Sequence, residues 1–135
     1  MKYKSSVIFE LPMDAELKPN IKTALEVIDK AKEHLYYGNY DEVIAKCRIS
    51  LESIISSWGD ISALRKVSMN KANRNEMSKE FRFFNVIDQI CHFTHLAHHP
   101  DTNNEIISFT RSEAVFILGA TISAVSSYSQ QVSHK

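Results

Sequence analysis

Two helical stripes separated by one glycine constrain this chain more than any other feature. On both sides of Gly38, apolar side chains recur every three or four positions, which is the spacing of one face of an α-helix. Pro19 suits the first turn of a helix, and Gly38 suits the left-handed position at which a helix ends. Asn39 is a favourable N-cap for the helix that follows. Residues 19–58 are therefore predicted to form an antiparallel helical hairpin.

Two further helices are expected in the second half of the chain. From about residue 76 to 97, apolar side chains cover nearly every face, which predicts a central helix. Thr110 and Glu113, three residues apart, form the pattern of a capping box and predict the start of the last helix. Small residues in that helix, Gly119 among them, are expected to let another helix approach closely. Gly119→Leu is then expected to overpack this contact and cost several kcal/mol.

The elements together predict an all-α fold, a four-helix up-down bundle preceded by a short extended arm. The chain has 135 residues, which is the size of one domain. Its predicted segments are the N-terminal arm at 1–18, the helical hairpin at 19–58, a connector at 59–75 and a second helical pair at 76–131. Within the connector, Ile61, Leu64 and Val67 can support a short helical piece. The arm alternates apolar and polar side chains, and a lone strand cannot satisfy its own backbone. We therefore expect a homodimer that forms through the arm and the last helix.

Charge and cysteine content exclude several classes of protein. Sixteen basic residues balance sixteen acidic ones, which argues against a generic polyanion binder. Two cysteines do not make a disulfide scaffold, and they favour a reducing, cytoplasmic location. The longest uncharged run, residues 114–134, is mainly apolar only in its first half, so it predicts a buried core helix and no membrane span. No cofactor is predicted.

Histidines concentrate at the end of the third predicted helix. Asp88, His92, His95 and His99 share one helical face, which is a pattern that can bind zinc. The same pattern is expected where a packed seam turns polar near a helix end. No metal ligand is therefore assigned, and a metal-binding bundle is kept as a second alternative function. The candidate polar cluster consists of His95, His98, His99, Arg111 and Glu113.

Arg111 has an unfavourable position, because a positive charge at the start of a helix opposes the helix dipole. Two alternatives explain this position. Arg111 forms a salt bridge to Asp101, Glu105 or Asp88, or it contacts an anion such as an RNA phosphate.

A local excess of positive charge between residues 65 and 82 suggests another function. Six basic residues stand against two acidic ones, next to three phenylalanines. Such a patch can receive a nucleic-acid backbone, although a basic run is also what a solvated face shows. The candidate nucleic-acid contacts are Arg65, Lys66, Lys71, Arg74, Lys79 and Arg82. An RNA-binding protein or RNase is the first alternative. No catalytic residue is assigned, because the sequence has no glycine-rich phosphate loop, CxxC pair or HExxH motif.

Three segments share their order with a known group of proteins. They are AKEHLYYGNYDEVIAKCRISLE at 31–52, THLAHHPD at 94–101 and TRSEAVFILGAT at 110–121. Over about residues 20–130 the chain resembles small prokaryotic HEPN-like proteins. The resemblance implies a dimeric helical bundle in a defence or toxin–antitoxin setting, whose active members are metal-independent RNases with an Arg-x4–6-His signature. No arginine here is followed by histidine at that spacing. The sequence thus predicts a homodimeric interaction or scaffold protein, a non-catalytic HEPN-like component.

Overall fold

The computed structural model describes residues 18–59, 61–69, 77–97 and 107–133, and every element in these ranges is helical. The elements are α1 (Pro19–Tyr36), α2 (Tyr40–Ile55), α3 (Ile61–Met69), α4 (Lys79–Thr94) with a 3-10 turn (His95–Ala97), and α5 (Arg111–Ser133). The prediction of an all-α fold is confirmed, with five helices in place of four. The predicted arm lies outside the described residues apart from Lys18, and the up-down arrangement stays a prediction.

The hairpin of α1 and α2 forms as the sequence predicts. Gly38 has a φ of 78°, the left-handed conformation that ends a helix at low cost only for glycine. Asn39 occupies the N-cap of α2, but its side chain makes no capping hydrogen bond. Asp41, in the first turn of α2, instead accepts a hydrogen bond from the backbone N–H of Phe109 at 2.9 Å. The start of α2 is thereby joined to the segment that leads into α5.

Helix α2, and not α4, is the central helix. It packs against α1, α4 and α5, and half of its sixteen residues are buried. The prediction that α4 is central is wrong, because Val86 on its outer face is 58% exposed. Only Phe84, Ile87, Cys91 and Thr94 of α4 are buried. The sequence is misleading here because α4 has apolar residues on its outer face as well, and its composition therefore resembles that of a core helix.

The predicted connector contains a helix. Residues 61–69 form α3, and its Ile61 and Leu64 pack against the core. Helix α4 begins at Lys79, later than expected, because the Ser78 hydroxyl accepts a hydrogen bond from the backbone N–H of Phe81 and so fixes Ser78 as the N-cap.

The predicted close helix approach at Gly119 is absent within the described chain. Apart from the adjoining backbone of α5 itself, a Cβ placed on Gly119 would have no described atom within 4 Å. Close packing occurs between α1 and α2 instead, where the buried Ser50 hydroxyl donates a hydrogen bond to the Ala24 carbonyl at 3.0 Å. Gly119→Leu is therefore not expected to overpack the fold of one chain.

Helix α5 runs in the same direction as α2. At its start, Phe109 is bonded to Asp41 near the start of α2. Near its end, the Tyr128 ring lies 4.9 Å from the Trp58 ring, and the Tyr128 hydroxyl is hydrogen-bonded to Ser57, just beyond α2. These contacts fix which face of α5 the core covers. Among the helices described, none has the length and apolar character needed to cross a bilayer.

Candidate functional site

The start of α5 is the reciprocal capping box that the sequence predicts. The Thr110 hydroxyl accepts a hydrogen bond from the backbone N–H of Glu113 at 3.2 Å. The Glu113 carboxylate in turn accepts from the Thr110 backbone N–H at 2.9 Å and from its hydroxyl at 3.0 Å. The backbone bond, and next the hydroxyl bond, lower the pKa of Glu113. This part of the candidate polar cluster thus has a structural role at the helix end.

Thr110→Ala is expected to lower the free energy of unfolding by about 1 kcal/mol through loss of the cap. The pKa of Glu113 should rise towards its ordinary value, but only in part, because the backbone N–H of residue 110 still donates. Since the folded-state pKa is depressed, the contribution of Glu113 is present at neutral pH and is lost as pH falls through that pKa. Urea unfolding and an NMR titration of Glu113 measure both effects. An unchanged pKa in the variant would contradict the role of the hydroxyl.

Two other members of the candidate polar cluster, Arg111 and His95, lie in the described ranges, on different elements. Arg111 is the exposed first residue of α5. His95 lies at the end of α4, where its Nε2 is 3.8 Å from a Glu52 carboxylate oxygen of α2. His98 and His99 lie outside the described residues. Glu113 thus belongs to a helix cap and His95 lies beside Glu52 of α2, and the cluster as a whole stays a prediction.

Asp88 belongs to an ion pair and not to the histidine group. The Arg65 guanidinium of α3 donates to its carboxylate, with Nη2–Oδ1 and Nε–Oδ2 distances of 2.8 and 3.2 Å. This hydrogen bonding raises the pKa of Arg65. The pair ties α3 to α4, and it uses the carboxylate that was one expected partner of Arg111. Arg65 is thus neutralised by a neighbour within the chain.

Three of the remaining candidate nucleic-acid contacts lie on two neighbouring helices. Lys66 lies on α3, and Lys79 and Arg82 lie on α4, all three exposed. The Arg82 Nε donates to the Met77 carbonyl at 3.0 Å. Lys71 and Arg74 fall outside the described residues. The RNA-binding alternative stays a prediction that rests on charge alone.

Both cysteines are free and buried. Burial raises the pKa of Cys47 to about 11 and that of Cys91 to about 11. Each thiol is therefore protonated at neutral pH, and a protonated, buried thiol is a poor nucleophile. Cys91 has a second feature, because its sulfur lies near His95 and Glu52, and the three potential ligand atoms are all within 4.8 Å of one another.

The outer face of α5 carries exposed apolar side chains, although the sequence predicts α5 as a buried core helix. Phe116 is 68% exposed and Val115 is 42% exposed. Phe116 also lines an open groove of about 570 Å³ between α4 and α5, whose other lining residues are Gln89, Ile90, Phe93, Ser112, Glu113 and Ile117. The expectation of full burial is wrong for this outer face, because the core covers only one side of α5.

The uncharged run itself is the sequence signal of this surface. From residue 114 to 133, α5 contains no charged side chain and no histidine. A helix that is half exposed ordinarily carries charges on its solvent face.

Comparison of the chain with protein-family models, curated proteins and solved structures found no match.

Proposed function

We propose that the protein is a homodimeric interaction module that associates through the exposed face of α5. The observation that carries this proposal is the exposure of Val115 and Phe116 on a helix with no charge over its last twenty residues. Exposed apolar patches on otherwise charged proteins mark sites of association, and the centres of interfaces are depleted in charge.

A second copy of the chain is the partner that this face fits best. In a two-fold dimer each residue near the axis meets its own counterpart, so a charge there would face an identical charge. Val115, Gly119 and Ser123 lie four residues apart on one side of α5, next to Phe116. Gly119 is half-buried, the other three are exposed, and none is charged. The empty space beside Gly119 allows a second helix to approach the backbone.

The dimensions also support association of two chains. A helix of 23 residues such as α5 is about 34 Å long, and two adjacent helices are about 20 Å wide. A surface of that size approaches the roughly 800 Å² per partner of a standard interface. The groove between α4 and α5 lies beside Phe116 and provides space for an apolar side chain of the other copy.

The HEPN-like resemblance supports the same proposal, since it implies dimeric bundles. The missing Arg-x4–6-His signature favours a non-catalytic component of a defence or regulatory system. The predicted arm would add a second contact to the dimer, and a cytoplasmic location agrees with two free cysteines.

Val115→Glu is expected to weaken dimerisation about 10-fold or more, because each dimer would bury two carboxylates without partners. Ile49→Glu is the matched control, since Ile49 on α2 is also β-branched and is 41% exposed. Gly119→Leu should dissociate the dimer while the chain stays folded. Sedimentation velocity over a range of concentrations measures the association constant of each variant.

Two results would contradict the proposal. One is a wild-type chain that sediments as a monomer at every concentration. The other is equal loss of association in Val115→Glu and Ile49→Glu, which would show that the effect of the added charge is not specific to α5. Binding of RNA that weakens steeply with salt would instead favour the first alternative function.

A further inference from the structure

Glu52, Cys91 and His95 come from three consecutive or packed elements and lie close together. Glu52 lies near the end of α2, Cys91 near the end of α4, and His95 at the start of the 3-10 turn. The carboxylate oxygen, sulfur and imidazole nitrogen are all within 4.8 Å of one another, and the Glu52–His95 pair is separated by 3.8 Å.

These distances are close to those of a coordinated zinc ion. Zinc–ligand bonds of about 2.0–2.3 Å in a tetrahedral arrangement hold the ligand atoms roughly 3.3–3.7 Å apart. The Glu52–His95 separation of 3.8 Å already approaches this value, and no separation in the group is greater than 4.8 Å, so none exceeds it by more than roughly 1 Å. Rotation of exposed side chains can supply that change, because the His95 and Glu52 side chains are 39% and 47% exposed.

The types of ligand select a class of metal. Thiolate and imidazole ligands suit zinc and related transition metals, whereas magnesium and calcium prefer oxygen ligands alone. Three protein ligands of this kind leave a fourth position for water or another ligand. The Cys91 sulfur would bind as the thiolate, and its proton would pass to solvent.

The neighbouring groups hold the ligands in place. The Arg48 Nε donates at 2.9 Å to Oε1 of Glu52, the same oxygen that lies 3.8 Å from the His95 Nε2, and this bond orients the carboxylate beside His95. Carboxylate ligands commonly have such a hydrogen-bonding partner. The His92 ring lies 5.8 Å from the His95 ring and is exposed, so it borders the group without belonging to it.

We propose that Glu52, Cys91 and His95 bind one divalent transition-metal ion of the zinc type, which links the end of α2 to the end of α4. This site differs from the metal pattern in the sequence, of which only His95 is retained. Asp88 is paired with Arg65, and Glu52 enters from another helix. The site is independent of the exposed face of α5, so dimerisation and metal binding can be tested separately.

The experiment uses the full chain, stripped with a chelator and kept in a non-thiol reductant. Calorimetric titration with zinc is expected to give one ion per chain. Titration with cobalt is expected to give a sulfur-to-cobalt charge-transfer band. Cys91→Ala should abolish the band, and His95→Gln should weaken zinc affinity about 10-fold or more. Cys47→Ala is the control for the thiol, and His92→Gln is the control for the imidazole.

Four outcomes would overturn the proposal. The first is no zinc binding, and the second is a stoichiometry well below one zinc ion per chain. The third is a charge-transfer band that persists in Cys91→Ala. The fourth is a loss of zinc affinity in the two control variants as large as that in the ligand variants. If circular dichroism shows that Cys91→Ala does not fold, the zinc affinities of Glu52→Gln and His95→Gln test the proposal instead, because these two changes do not disturb the core. Full zinc affinity in both of those variants would equally overturn it.

Discussion

Phe84→Ala is expected to lower the free energy of unfolding by about 3–5 kcal/mol. Phe84 is the largest fully buried side chain of the described core, and its ring packs edge-on against Trp58 at 5.6 Å. Trp58 in turn contacts Phe83 and Tyr128. Truncation at residue 84 therefore leaves a cavity where α4, α5 and the end of α2 meet. Domains of this size have only about 5–15 kcal/mol of stability, so the loss is large.

Urea unfolding followed by far-ultraviolet circular dichroism measures this loss without relying on the environment of Trp58, the single tryptophan. Val86→Ala is the matched control, because Val86 lies on the same helix and is largely exposed. Its effect should stay within about 0.5 kcal/mol. A Phe84→Ala loss below about 1 kcal/mol would contradict the packing of α4 on α2.

Ala24→Leu is expected to cost about 2–4 kcal/mol, because it overpacks the contact between α1 and α2. Ala24 and Ser50 have no exposed surface, and the Ser50 hydroxyl reaches the Ala24 carbonyl at 3.0 Å. A larger side chain at residue 24 must push the helices apart, which also breaks this hydrogen bond. The Ser50 hydroxyl would then lose its buried partner.

Gly119→Leu provides the contrast, since both changes place leucine at a small residue inside a helix. Apart from the adjoining backbone of α5, no described atom lies within 4 Å of a Cβ on Gly119, and leucine has a higher helix propensity than glycine. In dilute solution, where the dimer is not populated, the stability of this variant should be unchanged or higher. Thermal melts of both variants at low concentration compare the two positions. Equal destabilisation would show that Gly119 is a helix contact within the chain.

Local signals in the sequence predicted local structure well. Helix ends follow from the chemistry of a few adjacent residues, which is why Gly38 and the Thr110–Glu113 capping box lie where expected. The sequence signal for α3 was weaker, because this helix has only nine residues and few apolar side chains. The start of α4 was misplaced for a similar reason, since one serine determines it.

Candidate sites were harder to predict, because they join residues that are distant in sequence. Asp88 shares a helical face with His92 and His95, but Arg65 from α3 pairs with it. Glu52 approaches His95 from 43 positions away in the sequence. Periodicity on one helix places residues on a common face and gives no information about the element that covers that face.

The sequence by itself determined that this chain is helical, where its first hairpin turns and how its last helix begins. Each of these depends on interactions within a few residues, such as a left-handed glycine or a capping hydroxyl. Only the tertiary structure decided that α2 is central and that the outer face of α5 is exposed. An apolar stripe on a helix favours burial. Whether the same chain or a second chain covers that stripe depends on how the helices pack.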